Sequence, residues 1–249
     1  ALSLIASGCG NGSGGADGPE GGSPEPSPSP AATTTPGDAV PESTPTPENN
    51  GFRDALRLMV IQEENLPTGL QLVSQGFTTN EEIIEASSDP EAEQADLTRW
   101  GRILSYTVTF QPGPDILPET AIRGISATVS LYKTAEGSAD SFAQAAADAT
   151  ERDWKADNPG LTEFQVRPIE LETGADELLW LRLSGVSTEP EGIVVDDVIL
   201  MRVGRARGFL RVLATAPSEG RNLLLDEVED WLRAQIERVK ETLAAGIEP

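Results

Sequence analysis

Apolar residues recur at two periods along this chain, and the change of period marks its elements. Phe52, Leu56, Met59 and Val60 are spaced for one helical face, and Leu66-Pro67-Thr68-Gly69 stops the helix they predict. Glu81 to Ala95, acidic and alanine-containing, reads as a short helix with a loose tail. From Ile103 to Phe110 the period becomes two: Leu104, Tyr106, Val108 and Phe110 share one face, with Ser105, Thr107 and Thr109 on the other. Ile125, Ala127, Val129 and Leu131 repeat that pattern. Ala139, Phe142, Ala143, Ala146 and Trp154 then mark a helix closed by Asn158-Pro159-Gly160. Four strand-like runs follow, Glu163–Leu171, Glu177–Val186, Ile193–Val203 and Gly208–Ala216, the last two joined by a hairpin at Gly204-Arg205-Ala206-Arg207. A long amphipathic helix carrying Leu224, Val228, Trp231, Leu232, Val239 and Leu243 closes the chain. Strands joined by hairpins cannot be the alternating units of a parallel sheet. The order therefore predicts an α+β fold, an antiparallel sheet of about six strands with helices packed on it.

No such pattern precedes residue 51. Between Gly10 and Asn50 the one large aliphatic residue is Val40, while 9 of the 19 prolines and 8 of the 24 glycines fall there. The stretch carries six acids and no base. It cannot bury enough apolar surface to offset its ordering entropy, so it is expected to be a disordered tether. As a coil its 41 residues span about 35 Å, more where alternating Ser-Pro stiffens it. The remaining 35 acids and 18 bases put a net −17 on residues 51–249, which are expected to form a single domain.

Composition excludes several chemistries. Without a histidine there is no Ser-His-Asp or Cys-His catalysis and no imidazole-bound zinc; with one cysteine there is no intrachain disulfide and no thiolate cluster. No metal and no cofactor is expected. A formal charge of −23 disfavours nucleic acid, whose counterions lysine and arginine would have to replace.

Candidate chemistry is sparse. Ser130-Leu131-Tyr132-Lys133 has the Ser-x-x-Lys spacing of penicillin-recognising enzymes, but on a strand residues three apart face opposite ways. Asp196-Asp197 lacks a calcium loop around it and reads as a strand bulge or hairpin turn. Glu81, Glu82, Glu85, Glu91 and Glu93 read as a solvated acidic face. Arg202, Arg205, Arg207 and Arg211 could dock an anion; the plainer reading is that they neutralise nearby acids and block an exposed sheet edge. Trp100, Trp154, Trp180 and Trp231 read as core.

The first nine residues carry the most specific signal. Leu2-Ser3-Leu4-Ile5-Ala6-Ser7-Gly8-Cys9 runs from apolar to small and ends on the sole cysteine. It resembles the lipobox of bacterial lipoproteins, with Ala6 where leucine is commonest. The resemblance implies that residues 1–8 are the end of a signal peptide, that Cys9 is the lipidation site, and that residues 9–50 are the lipidated cysteine and its linker. Two or more acyl chains would hold such a protein at the extracytoplasmic face of a bacterial membrane.

Two strands, a helix, four strands and a final long helix also resemble the PsbP-like fold, which occurs in surface lipoproteins and in sensor domains of receptor kinases. That resemblance implies a non-catalytic binding or assembly module, with no binding residue carried over. The expected partners are the membrane, through Cys9, and a small ligand or envelope protein. The rival readings are a carboxylate-dependent envelope hydrolase and a sensor or scaffold acting through protein contacts.

Overall fold

The computed structural model describes residues 48–113, 122–188, 191–216, 220 and 222–247. The proposed signal segment, Cys9 and the tether up to residue 47 lie outside them. Helix α1 spans Glu48–Met59 and turns Phe52, Leu56 and Met59 inward; a 3-10 turn at Glu63–Asn65 follows. Strand β1 (Leu70–Thr78) leads into α2 (Asn80–Ala86) and α3 (Pro90–Trp100), then β2 (Arg102–Pro112) and β3 (Ile122–Tyr132). Helix α4 (Ala135–Glu151) precedes β4 (Leu161–Pro168), β5 (Glu177–Thr188), β6 (Glu191–Val203) and β7 (Ala206–Ala216), and α5 (Leu225–Ala244) is last.

The sheet is antiparallel throughout and α+β in class, as the pattern predicts, but it has seven strands, ordered β1-β2-β3-β7-β6-β5-β4. The additional strand is β1, whose sequence Leu-Gln-Leu-Val-Ser-Gln-Gly-Phe-Thr lacks clean alternation because most of it faces solvent at the sheet edge. Two meanders, β1-β2-β3 and β4-β5-β6-β7, meet where β3 pairs with β7, and α4 carries the chain from the centre to the far edge.

The acidic stretch forms two helices, where its composition predicts one. Thr79 and Glu82 form a reciprocal capping box at α2, and Asp89 with Pro90 opens α3, so local capping at Ser87-Ser88-Asp89 divides them. Glu82 is thus a cap as well as a surface acid. Gly101, at φ 63, ends α3 in the left-handed conformation and turns the chain into β2.

The larger core lies between one sheet face and α1 with α5. Leu104, Tyr106, Val108 and Phe110 of β2 and Ile125, Ala127, Val129 and Leu131 of β3 meet Phe52, Leu56, Trp231, Leu232 and Ile236 there. On the other face Leu181, Leu183 and Val198 pack with Ala149 and Trp154 near the end of α4. Trp180 and Trp231 are buried as expected, while Trp154 is half-buried and donates from Nε1 to Ala149 O at 2.8 Å.

Candidate functional site

The period-two pattern of β2 projects Tyr106, Val108 and Phe110 toward α1 near the β1 edge. There they form the floor of a cleft of about 240 Å³. Arg57, Val60, Ile61, Gln62 and Glu63, where α1 ends, make one wall; Leu72 and Gln75 of β1 make the other. The floor residues Tyr106, Val108 and Phe110 and the wall residues Val60 and Ile61 are all buried, whereas Leu72 is 40% exposed at the rim.

Hydrogen bonds set the wall. Gln62 Nε2 donates to Arg57 O and Val60 O, both at 2.9 Å, which folds the chain back as α1 stops. The Tyr106 hydroxyl donates to Gln75 Oε1, fixing the phenol across the β1–β2 pair. Phe77 lies 4.7 Å from the Tyr106 ring, with the Arg53 and Arg57 guanidinium carbons 4.5 and 5.0 Å from its centroid. Arg57 also pairs with Asp54 at 2.9 Å. A cavity of about 150 Å³ holds a benzene ring, and ligand pockets run from about 300 Å³ upward. This cleft therefore suits one aliphatic or aromatic group, with Gln75, Gln62 and Arg57 at its polar rim.

The remaining candidates resolve into structural roles. Ser130 is buried in β3 and Lys133 is exposed beyond the strand end, so the Ser-x-x-Lys spacing does not bring the two together. Asp196-Asp197 is no bulge or turn. It sits in the unbroken middle of β6, opposite Leu183 and Arg182 of β5 and Leu213 and Val212 of β7. Adjacent strand residues face opposite ways, and an arginine on a neighbouring strand meets each. Asp197, on the α5 side, accepts from Arg182 Nε at 2.8 Å, Arg182 Nη2 at 2.6 Å and Trp180 Nε1 at 2.6 Å. Both charged side chains are almost fully buried, at 1% and 2% exposure. Asp196, on the α4 side, takes Arg211 in a forked pair at 2.7–3.2 Å, which raises the Arg211 pKa. Sequence reasoning passed over Arg182. The available signal was a charge at an inward position of two successive apolar strands.

The four arginines near the hairpin do not guard an edge, because β6 and β7 lie inside the sheet. Arg202 pairs with Asp176 and Glu177, Arg205 donates to Ile247 O, and Arg207 Nη1 reaches Ser141 O and Oγ at 2.9 and 2.7 Å. Neutralisation of acids holds for Arg202 and Arg211. The hairpin has its glycine at positive φ, Gly204 at 54°.

Arg102 forms a separate clasp. It is 6% exposed and donates to Asn80 Oδ1, Ser105 Oγ and Thr78 O at 2.6–3.0 Å, tying the start of α2 to β2. Burial lowers its pKa to about 10. Glu93 feels the fields of Arg102 and Arg207, yet its pKa is raised, first by burial and then by Asp96. Among the described residues no group of three or more metal-ligating side chains is placed to hold an ion.

No family model and no curated protein matches the chain. Among solved structures, the extracellular domain of PknH from Mycobacterium tuberculosis aligns with a TM-score of 0.48 and 6% identity, over 76% of this chain and 96% of that chain.

Proposed function

We propose that this chain is a lipid-anchored, extracytoplasmic binding protein without catalytic activity, whose cleft between α1 and the β1–β2 pair captures a partly apolar ligand group from the cell envelope. The observation that carries the reading is the cleft itself, in which five buried residues lie beneath a rim of Leu72 and the polar side chains of Arg57, Gln62, Glu63 and Gln75. Its phenol is engaged by Gln75, and among the described residues Glu63 is the one carboxylate on its walls. The acids that burial singles out, Asp196 and Asp197, are each held by a guanidinium. Glu93, whose pKa is raised first by burial and then by Asp96, does not line the cleft, and among the described residues no second carboxylate there completes the acid pair a hydrolase would use.

The anchor in this reading is Cys9, carrying a diacylglyceryl thioether and an amide-linked acyl chain, since stable attachment takes more than one chain. No helix of the described residues is long and apolar enough to cross a membrane. Cell fractionation tests the anchor: Cys9→Ser is expected in the soluble fraction, and retention in the membrane refutes it. A thermal-shift screen of the full chain against sugars, lipids and envelope fragments tests the cleft. A stabilising hit that Tyr106→Phe or Leu72→Arg weakens supports it, because a ligand preferring the native state must raise the melting temperature. A hit indifferent to both substitutions, or turnover of an envelope glycan by the pure protein, overturns it.

A further inference from the structure

The two edges of the sheet are guarded differently. At β4, Glu163 has φ 48, the register shifts between Thr162 and Gln165, and Arg167 and Pro168 follow. A bulge, charges and an edge proline all oppose addition of another strand. At β1 there is one register shift, between Leu72 and Ser74, and from Leu70 to Thr78 no charged residue and no proline. Residues 71–76 are exposed, Leu72 at 40% and Val73 at 53%. Among the described residues no strand pairs with the outer side of β1. The cleft opens beside this strand at Leu72 and Gln75, and its volume matches one side chain.

We infer that β1 takes up an extended, basic peptide as an eighth strand, with one apolar side chain of that peptide seated in the cleft. The inference rests on the cleft reading above and names its occupant. Backbone pairing at a sheet edge supplies affinity, and pockets for alternate side chains supply specificity.

Charge selects the occupant. The 3-10 turn before β1 carries Glu63 and Glu64, and α2 after it carries Glu81, Glu82 and Glu85, with no base in either element. The nearby arginines are engaged: Arg57 with Asp54, Arg53 and Arg57 on the Phe77 ring, Arg102 with Asn80 and Thr78 O, and Arg238 with Glu64. Around the strand these five acids and Asp54 outnumber four arginines, Arg53, Arg57, Arg102 and Arg238, in a chain of formal charge −23. A second copy pairing antiparallel through β1 would set these acids against their own kind. Residues 10–50 meet the same objection, with six acids and no base. A peptide with lysine or arginine at alternate positions meets none of it.

The test uses the full chain and four capped octapeptides: alternating Lys-Val, the same peptide N-methylated at every second amide, alternating Glu-Val and alternating Lys-Ser. Lys-Val is expected to bind saturably and slow amide hydrogen exchange over residues 71–76 by about tenfold or more. N-methylation, Glu-Val, Lys-Ser and the exposed-site variant Val73→Lys are each expected to weaken binding by about tenfold, equivalent to about 1.4 kcal/mol. No binding by Lys-Val, or equal binding of the N-methylated or Glu-Val peptide, overturns the inference. If Lys-Ser binds as well as Lys-Val with β1 still protected, the edge is used without the cleft, which sinks the cleft reading. A small ligand that stabilises the protein through the cleft and is not displaced by Lys-Val keeps the cleft reading and overturns the added strand.

Discussion

Removing Asp197 should damage this protein more than removing any other single surface or core acid, and the structure sets the size of the loss. Its carboxylate accepts three charge-assisted hydrogen bonds at 2.6–2.8 Å, two from Arg182 and one from the Trp180 indole. Both members of the ion pair are at 2% exposure or less, so water cannot replace what is lost. Asp197→Ala leaves a guanidinium buried without a counter-charge and an indole N–H without an acceptor. Breaking a buried pair from one side costs about 3–5 kcal/mol, and an orphaned buried donor adds about 1–3 kcal/mol. Arg182 Nη1 already lacks a hydrogen-bond partner among the described residues, so this guanidinium has no reserve. A loss of about 4 kcal/mol or more lowers the melting temperature of a domain this size by about 8–16 °C. The decisive comparison is the double variant Arg182→Met/Asp197→Leu. It removes both charges and leaves only the indole unpaired, so it should lose about 1–3 kcal/mol. Urea unfolding followed by tryptophan fluorescence measures both. If Asp197→Ala costs under about 1 kcal/mol, or the double variant is as unstable as the single, the pair is not the dry, mutually dependent unit described here.

Two further substitutions probe the α3–α4 contact and the acids beside Arg102. At Gly137 in the first turn of α4, an added Cβ would lie 1.9 Å from Trp100 O; Gly137→Ala should lower stability by about 1–3 kcal/mol despite alanine's better helix propensity, and a rise in melting temperature would show that α3 can move aside. Glu93 has a folded-state pKa above 4.5, raised first by burial, so stability should fall as pH climbs from 4.5 through that higher value, where the unfolded chain has given up the proton that the folded chain still holds. Glu93→Gln should then melt no lower than the parent at pH 7 and lose its advantage below pH 4; a markedly lower melting temperature at pH 7 would mean that Arg102 and Arg207 need the charged form.

Periodicity alone specified much of this protein. Alternation in β2 and β3 named the inward faces correctly, because Tyr106, Val108, Ile125 and Val129 have to be dry whatever covers them. Hairpin spacing made the sheet antiparallel, and composition set residues 51–249 apart from the Pro- and Gly-rich stretch ahead of them. The spacing around Cys9 supplied the anchor expectation without help from any coordinate. Three features depended on tertiary structure. β1 is an edge strand whose exposed residues erase the pattern that would announce it, so the cleft it walls was illegible too. Asp196-Asp197 resembles a turn in isolation, because the two arginines that make it tolerable inside a sheet, Arg182 and Arg211, are each 15 residues in sequence from the aspartate they hold and adjacent only through strand pairing. The hairpin arginines seemed suited to an edge until β3 paired with β7 and placed them inside the sheet. Local sequence fixes which face of a strand is wet or dry. Which strands become neighbours, and so which charges meet and where an edge stays open, is settled by long-range pairing that no local pattern encodes.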